Sequence, residues 1–131
     1  MRFQSIRRAA LVCVPAALLL PLIACDAGGA ADKFGALAIS PSTGKFGAVI
    51  DRLSREDAEK DAAGQCGQAD CNQLVVWFKN ACVAVAQGAQ TGKVFGSAAQ
   101  PTEKAAVDEA VGTCAKSTSG CKSVGTFCTS R

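Results

Sequence analysis

Thr43-Gly44-Lys45-Phe46-Gly47 returns later in the chain as Thr91-Gly92-Lys93, with Phe95-Gly96 following after one extra residue, Val94. One shared tripeptide is chance, but this one begins an ordered series. Ser54 matches Thr102, Ala58 matches Ala106, Ala62 matches Ala110 and Cys66 matches Cys114. After a two-residue insertion, Cys71 matches Cys121, Leu74 matches Val124 and Trp77 matches Phe127. Matches kept in order at a near-constant offset are the mark of an internal duplication.

Each copy reads as strand, turn, strand, helix, strand. FGALAIS (34–40) and FGAVI (46–50) flank Pro41-Ser42-Thr43-Gly44, a cluster of turn residues, and predict a hairpin. Ser54 is placed to cap a helix, and Ala58, Ala62 and Cys66 then fall on one helical face. LVVWF (74–78) is β-branched and aromatic, too short for a helix, and reads as a buried strand. In the second copy Thr102 is the cap, and Ala106 or Val107, Ala110, Val111 and Cys114 form the stripe. The predicted class is α+β: duplicated strand-strand-helix-strand units, a mainly antiparallel sheet and two helices. One domain covers 34–131, with repeats at about 34–80 and 81–131.

Only 20 of the 98 residues from Phe34 onward are Leu, Ile, Val, Phe or Trp. Much of the remaining apolar content is Ala, which buries little area, so the fold calls for covalent staples. Cys66, Cys71, Cys82, Cys114, Cys121 and Cys128 can supply them. Six cysteines allow fifteen pairings. The pairing that respects the duplication is Cys66–Cys71, Cys114–Cys121 and Cys82–Cys128. Zinc is the rival use of the same thiols. The spacing from Cys114 to Cys121 suits it poorly, and the chain has no His. No C-x-x-C redox pair occurs, so neither a metal nor a cofactor is expected.

The first 24 residues read as a signal peptide: Arg2, Arg7 and Arg8, then a chargeless run from Ala9 to Ala24 that holds Pro15 and Pro21. The run ends Leu22-Ile23-Ala24-Cys25, which resembles the lipobox of bacterial lipoproteins. That resemblance implies lipidation (palmitate among the acyl chains) of Cys25 and cleavage before it. Residues 25–33 then form a lipidated tether of small and polar residues. Two or more acyl chains hold a protein stably on a bilayer, where one is marginal. Asp26 resembles an inner-membrane retention signal. The expected place is the periplasmic side of a bacterial cell envelope, with the inner membrane favoured.

The formal net charge of +3 belongs to the leader. From Cys25 onward, 11 Lys and Arg balance 11 Asp and Glu. A neutral domain has no charge excess with which to hold nucleic acid, so none is expected as a partner.

With repeat and cysteines placed, the chain resembles the bacterial family catalogued as domain of unknown function 4189. The carrying residues are Phe34-Gly35-Ala36-Leu37-Ala38-Ile39-Ser40, Ser42-Thr43-Gly44-Lys45, Cys66 through Asp70 to Cys71, and above all Val75-Val76-Trp77-Phe78-Lys79-Asn80-Ala81-Cys82. The resemblance implies a small exported, cysteine-containing protein and brings no catalytic motif.

The missing His removes Ser-His-Asp and Cys-His chemistry. Carboxylates cluster at Glu56, Asp57, Glu59 and Asp61, and again at Asp108 and Glu109. They alternate with Arg55 and Lys60 as a solvated helix face does. A cell-wall hydrolase using them is the alternative reading, and a structural envelope component is a third. The favoured reading is a protein- or envelope-binding module, such as an inhibitor or immunity protein, anchored in the membrane through its lipid. Strand alternation places Val75 and Trp77 on one face, and the repeat matches Phe127 to Trp77. Trp77 and Phe127 are therefore the candidate binding patch, on a sheet face left open by the helices; the alternative, and the commoner case for a lone Trp, is that both rings are core. No catalytic residue is assigned.

Overall fold

A computed structural model describes residues 31–89 and 93–130. The leader, Cys25, Asp26 and most of the tether lie outside the described residues, as does part of the second turn sequence.

Eight elements follow one another: β1 (Phe34–Ile39), β2 (Phe46–Arg52), α1 (Arg55–Cys66), β3 (Leu74–Lys79), β4 (Cys82–Gln87), β5 (Val94–Gly96), α2 (Glu103–Ala115) and β6 (Lys122–Cys128). The first four form one unit and the last four repeat it. Two separate three-stranded antiparallel sheets result, ordered β2-β1-β3 and β5-β4-β6. The central strands β1 and β4 are the most apolar and the most buried, as strands covered on both faces must be.

The sheets pack face to face, with one helix outside each, giving four layers. Large side chains fill the middle: Leu37, Ile39 and Phe78 from the first sheet meet Val83 and Val85 from the second. The outer layers are thin because small residues face each other. Ala58, Ala62 and Cys66 of α1 lie on Ala36, Ala38 and Val49. Ala106, Ala110 and Cys114 of α2 lie on Ala84 and Ala86. The scarce large residues are thus spent between the sheets, and Ala lets each helix approach closely.

Each helix starts on its expected cap. The Ser54 hydroxyl accepts from the Asp57 amide at 3.1 Å, and the Thr102 hydroxyl from the Ala105 amide at 3.2 Å. Helix α1 stops at Gly67, whose φ of 67° suits glycine and whose amide donates back to the Ala63 carbonyl.

The three bridges are Cys66–Cys71, Cys82–Cys128 and Cys114–Cys121. Cys82 exchanges both backbone hydrogen bonds with Gln100, so Cys82 and Cys128 form a non-hydrogen-bonded cross-strand pair. Such pairs bring the two backbones closest, which suits a short bridge. Here the Cα atoms are 4.0 Å apart.

The ladders correct the phase of the repeat. In sheet pairing, Ala38 opposes Gly47 and Ala86 opposes Phe95. Gly47 therefore corresponds to Phe95, and no residue is inserted before the shared phenylalanine-glycine pair. In the third strands, Gly35 opposes Phe78 and Val83 opposes Phe127. Phe127 corresponds to Phe78, not to Trp77. The extra residue of the second copy is absorbed at Val124, where the β4·β6 register shifts between Val85 and Ala86.

Among the described residues, no helix is long and apolar enough to cross a membrane.

Candidate binding surfaces

That one-residue correction decides the fate of the aromatic patch. Successive residues of a strand face opposite sides, so a slip of one reverses every side chain. Trp77 stands opposite Ala36 on the face that α1 covers. Phe127 points between the sheets, where its ring meets Phe46 edge-on at 6.3 Å. The two do not share a face, and the face expected to be open is covered by the other sheet. Trp77 is 40 % exposed because β3 is an outer strand and α1 only partly reaches it. The Arg55 guanidinium lies 4.8 Å from its ring centre, and Phe34 lies 6.4 Å away on the neighbouring strand. Lys79 continues the row over Phe34 at 5.7 Å and pairs with Asp32.

The acidic residues named for a hydrolase are dispersed. Glu59 pairs with Arg55 at 2.8 Å and Asp61 with Arg52 at 2.6 Å, while Asp57 holds the Ser54 hydroxyl. Glu56 is exposed, and its carboxylate has no hydrogen-bond or ion-pair partner among the described residues. Asp108 pairs with Lys104, and Glu109 accepts from the Gln100 amide. These are local contacts on two helices at opposite outer layers, so no two of the carboxylates face each other across a cleft.

Asp70 is the best-held carboxylate. It accepts from the buried Ser40 hydroxyl at 2.6 Å and from the Ser42 amide at 3.0 Å. These bonds, led by the Ser40 hydroxyl, lower its pKa from the ordinary aspartate value, which makes it a weaker base. Asp51 likewise accepts the amide and hydroxyl of Ser130, and the amide bond is the main cause of its lowered pKa. Both tie loops to the sheets; a proton acceptor for catalysis needs the opposite shift. Among the described residues, no group of three or more Cys, Asp or Glu is arranged to hold a metal.

Two grooves remain. One, of about 570 Å³, opens where the halves meet: Lys45, Phe46, Gln65 and Gln68 come from the first, Val94 and Val124 from the second. Sequence reasoning missed it, because its walls come from five separate segments. The second groove is more apolar and runs between β3 and β5. Leu37, Leu74 and Val76 line one wall, Val94 and Phe95 the other. It is open because β5 has three residues where its counterpart β2 has seven.

Residues 34–128 match the family model described as domain of unknown function, DUF4189. The fold is similar to the NMR structure of Rv1813c from Mycobacterium tuberculosis, at 25% identity and a TM-score of 0.58, with 98% of each chain covered. No curated protein matches the chain.

Proposed function

The chain belongs to the DUF4189 family, a domain of unknown function, and on that premise we propose an exported, lipid-anchored envelope protein that acts by binding a protein partner. An inhibitor or immunity protein directed at a lytic enzyme is its most concrete form. The observation that carries this reading is the groove at the seam of the two halves. Gln65 and Gln68 each present donors and acceptors there, Lys45 adds a cation, and Phe46, Val94 and Val124 supply an apolar floor. That mixture complements a segment of polypeptide, whose backbone needs both kinds of polar partner. The Cys66–Cys71 bridge stiffens the rim, since Cys66 lines the groove itself, and a rigid rim loses little entropy on binding.

The anchor is proposed from Leu22-Ile23-Ala24-Cys25, with two or more acyl chains on Cys25. Three disulfides fit an oxidising compartment.

The test is affinity capture of the full chain from its own host, alongside Lys45→Glu and Val124→Glu variants of the groove. One protein recovered with the parent and lost from both variants supports the proposal. Equal recovery from all three, or no specific protein, overturns it. In the same cells Cys25→Ser should move the protein from the membrane to the soluble envelope fraction.

A further inference from the structure

An antiparallel ladder alternates: a residue bonds to the strand on one side, and its neighbour to the strand on the other. The Asn80 amide donates to the Lys33 carbonyl, which extends the unshifted β1·β3 ladder by one pair. Even-numbered residues of β3 therefore bond to β1. The backbone N–H and C=O groups of Val75 and Trp77 point away from the sheet, along an edge with no described strand beside it.

The other outer strands are blunted, as edges of soluble proteins usually are. Strand β2 has a register shift against β1 and Asp51 at φ 59°. Strand β5 has three residues. Strand β6 carries Lys122, Gly125 and the bulge at Val124. Strand β3 pairs without a shift over six residues, LVVWFK, with no Gly or Pro and a charge only at its end. Leu74 is 51 % exposed and Trp77 40 % on that same strand.

We infer that β3 is a dimerisation edge, pairing antiparallel with β3 of a second copy about a twofold axis through Val76. The strand is its own complement in this register. Val75 and Trp77 of one copy exchange hydrogen bonds with Trp77 and Val75 of the other. Trp77 then faces Val75 of the second copy, an aromatic and β-branched pair that strengthens a sheet. Centring the axis on Trp77 instead sets the Lys79 ammonium against Val75, so the Val76 register is favoured. The product is a continuous six-stranded sheet. The seam groove of each copy lies away from this edge, so the inference stands or falls apart from the binding reading.

The register supplies its own test. Val76 would face Val76 of the second copy as a non-hydrogen-bonded pair, the arrangement in which Cys82 and Cys128 are bridged within the chain. Val76→Cys in the full chain, expressed in its host and run on a non-reducing gel, is expected to give mostly a species of twice the monomer mass. Leu53→Cys, at a 74 % exposed site off this edge, is expected to stay monomeric. Adding Val75→Pro to Val76→Cys removes an outward-facing amide and no β1·β3 ladder bond, together with a side chain that packs on the α1 layer, and should abolish the dimer while the chain still unfolds in one cooperative transition. A monomeric Val76→Cys chain, an adduct of the introduced thiol with a different protein, or equal dimer from Leu53→Cys overturns the inference. A dimer that survives the proline also overturns it. The purified protein, oxidised in air, gives the same reading with or without a lipid on Cys25.

Discussion

The same point in the two halves is fastened in two ways. Phe34 opposes Lys79 in the first, where cation and ring meet at 5.7 Å; Cys82 opposes Cys128 in the second, where a disulfide closes. Even-numbered residues of β1 bond toward β2, so Phe34 and Lys79 are also a non-hydrogen-bonded pair. The backbone geometry is shared, and only the chemistry across it differs. A duplicated scaffold can thus keep its ladder while exchanging a weak reversible contact for a covalent one.

The largest effect follows from that exchange. The bridge spans 46 positions, which in the chain-entropy model is worth about 4 kcal/mol. Cys82→Ala with Cys128→Ala should lose about that much in urea unfolding. Lys79→Ala should lose about 1 kcal/mol or less, as an exposed cation–π contact does. Comparable losses would mean the two fastenings are energetically alike. The comparison sharpens if the staple is transplanted: Phe34→Cys with Lys79→Cys should close a fourth bridge, read as a loss of two mass units. An open pair would show that the first half lacks the geometry.

A mid-sized effect separates the helices. In the first half α1 lies directly on Gly47. A Cβ there would sit 2.3 Å from the Ala62 carbonyl oxygen and 2.4 Å from the Cys66 nitrogen, both backbone atoms. In the second half the corresponding residue is Phe95, whose ring packs against the α2 layer. Gly47→Ala should therefore cost about 1–3 kcal/mol, the range for overpacking a filled site. Gly96→Ala meets only the side-chain ends of Ile39 and Leu37 at 3.1 Å, and should cost less than about 1 kcal/mol. Equal losses would show that α1 shifts as readily as a methyl group does.

This difference also explains what the sequence made legible. The element order could be read, because caps, turn residues and apolar periods are local signals. The pairing Cys66–Cys71, Cys114–Cys121 and Cys82–Cys128 followed from the duplication. The phase of the strands could not be read by matching residue names. Phe46-Gly47 and Phe95-Gly96 look alike but stand one ladder position apart, and Val124 bulges out of its ladder. A slip of one set Trp77 and Phe127 on one face, when they belong to opposite faces of different sheets. Local identity competed there with period-two alternation, and alternation governs burial. The seam groove was invisible for another reason: its walls meet only after both halves have folded.

The smallest effect concerns acid. Ser40 and Asp70 join by a 2.6 Å hydrogen bond where the second half has Gly88 against the Thr118 methyl, a contact a Cβ on Gly88 would meet at 2.1 Å. Asp51, the other carboxylate with a lowered pKa, also belongs to the first half. A carboxylate whose pKa falls on folding stabilises the fold above its unfolded value, and that contribution fades as pH drops through the folded value. For Asp70 and Asp51 the loss therefore begins below about pH 3.8 and is absent at neutrality. Hydrogen exchange between pH 5 and pH 2.5, a range chosen about these values, should show β1, β2 and the 40–45 turn opening before β4 and α2. Asp70→Asn should flatten that pH dependence in the turn and leave α2 unchanged. Simultaneous opening of both halves would mean that the inter-sheet layer of Leu37, Phe78, Val83 and Val85 couples them more strongly than these carboxylates divide them.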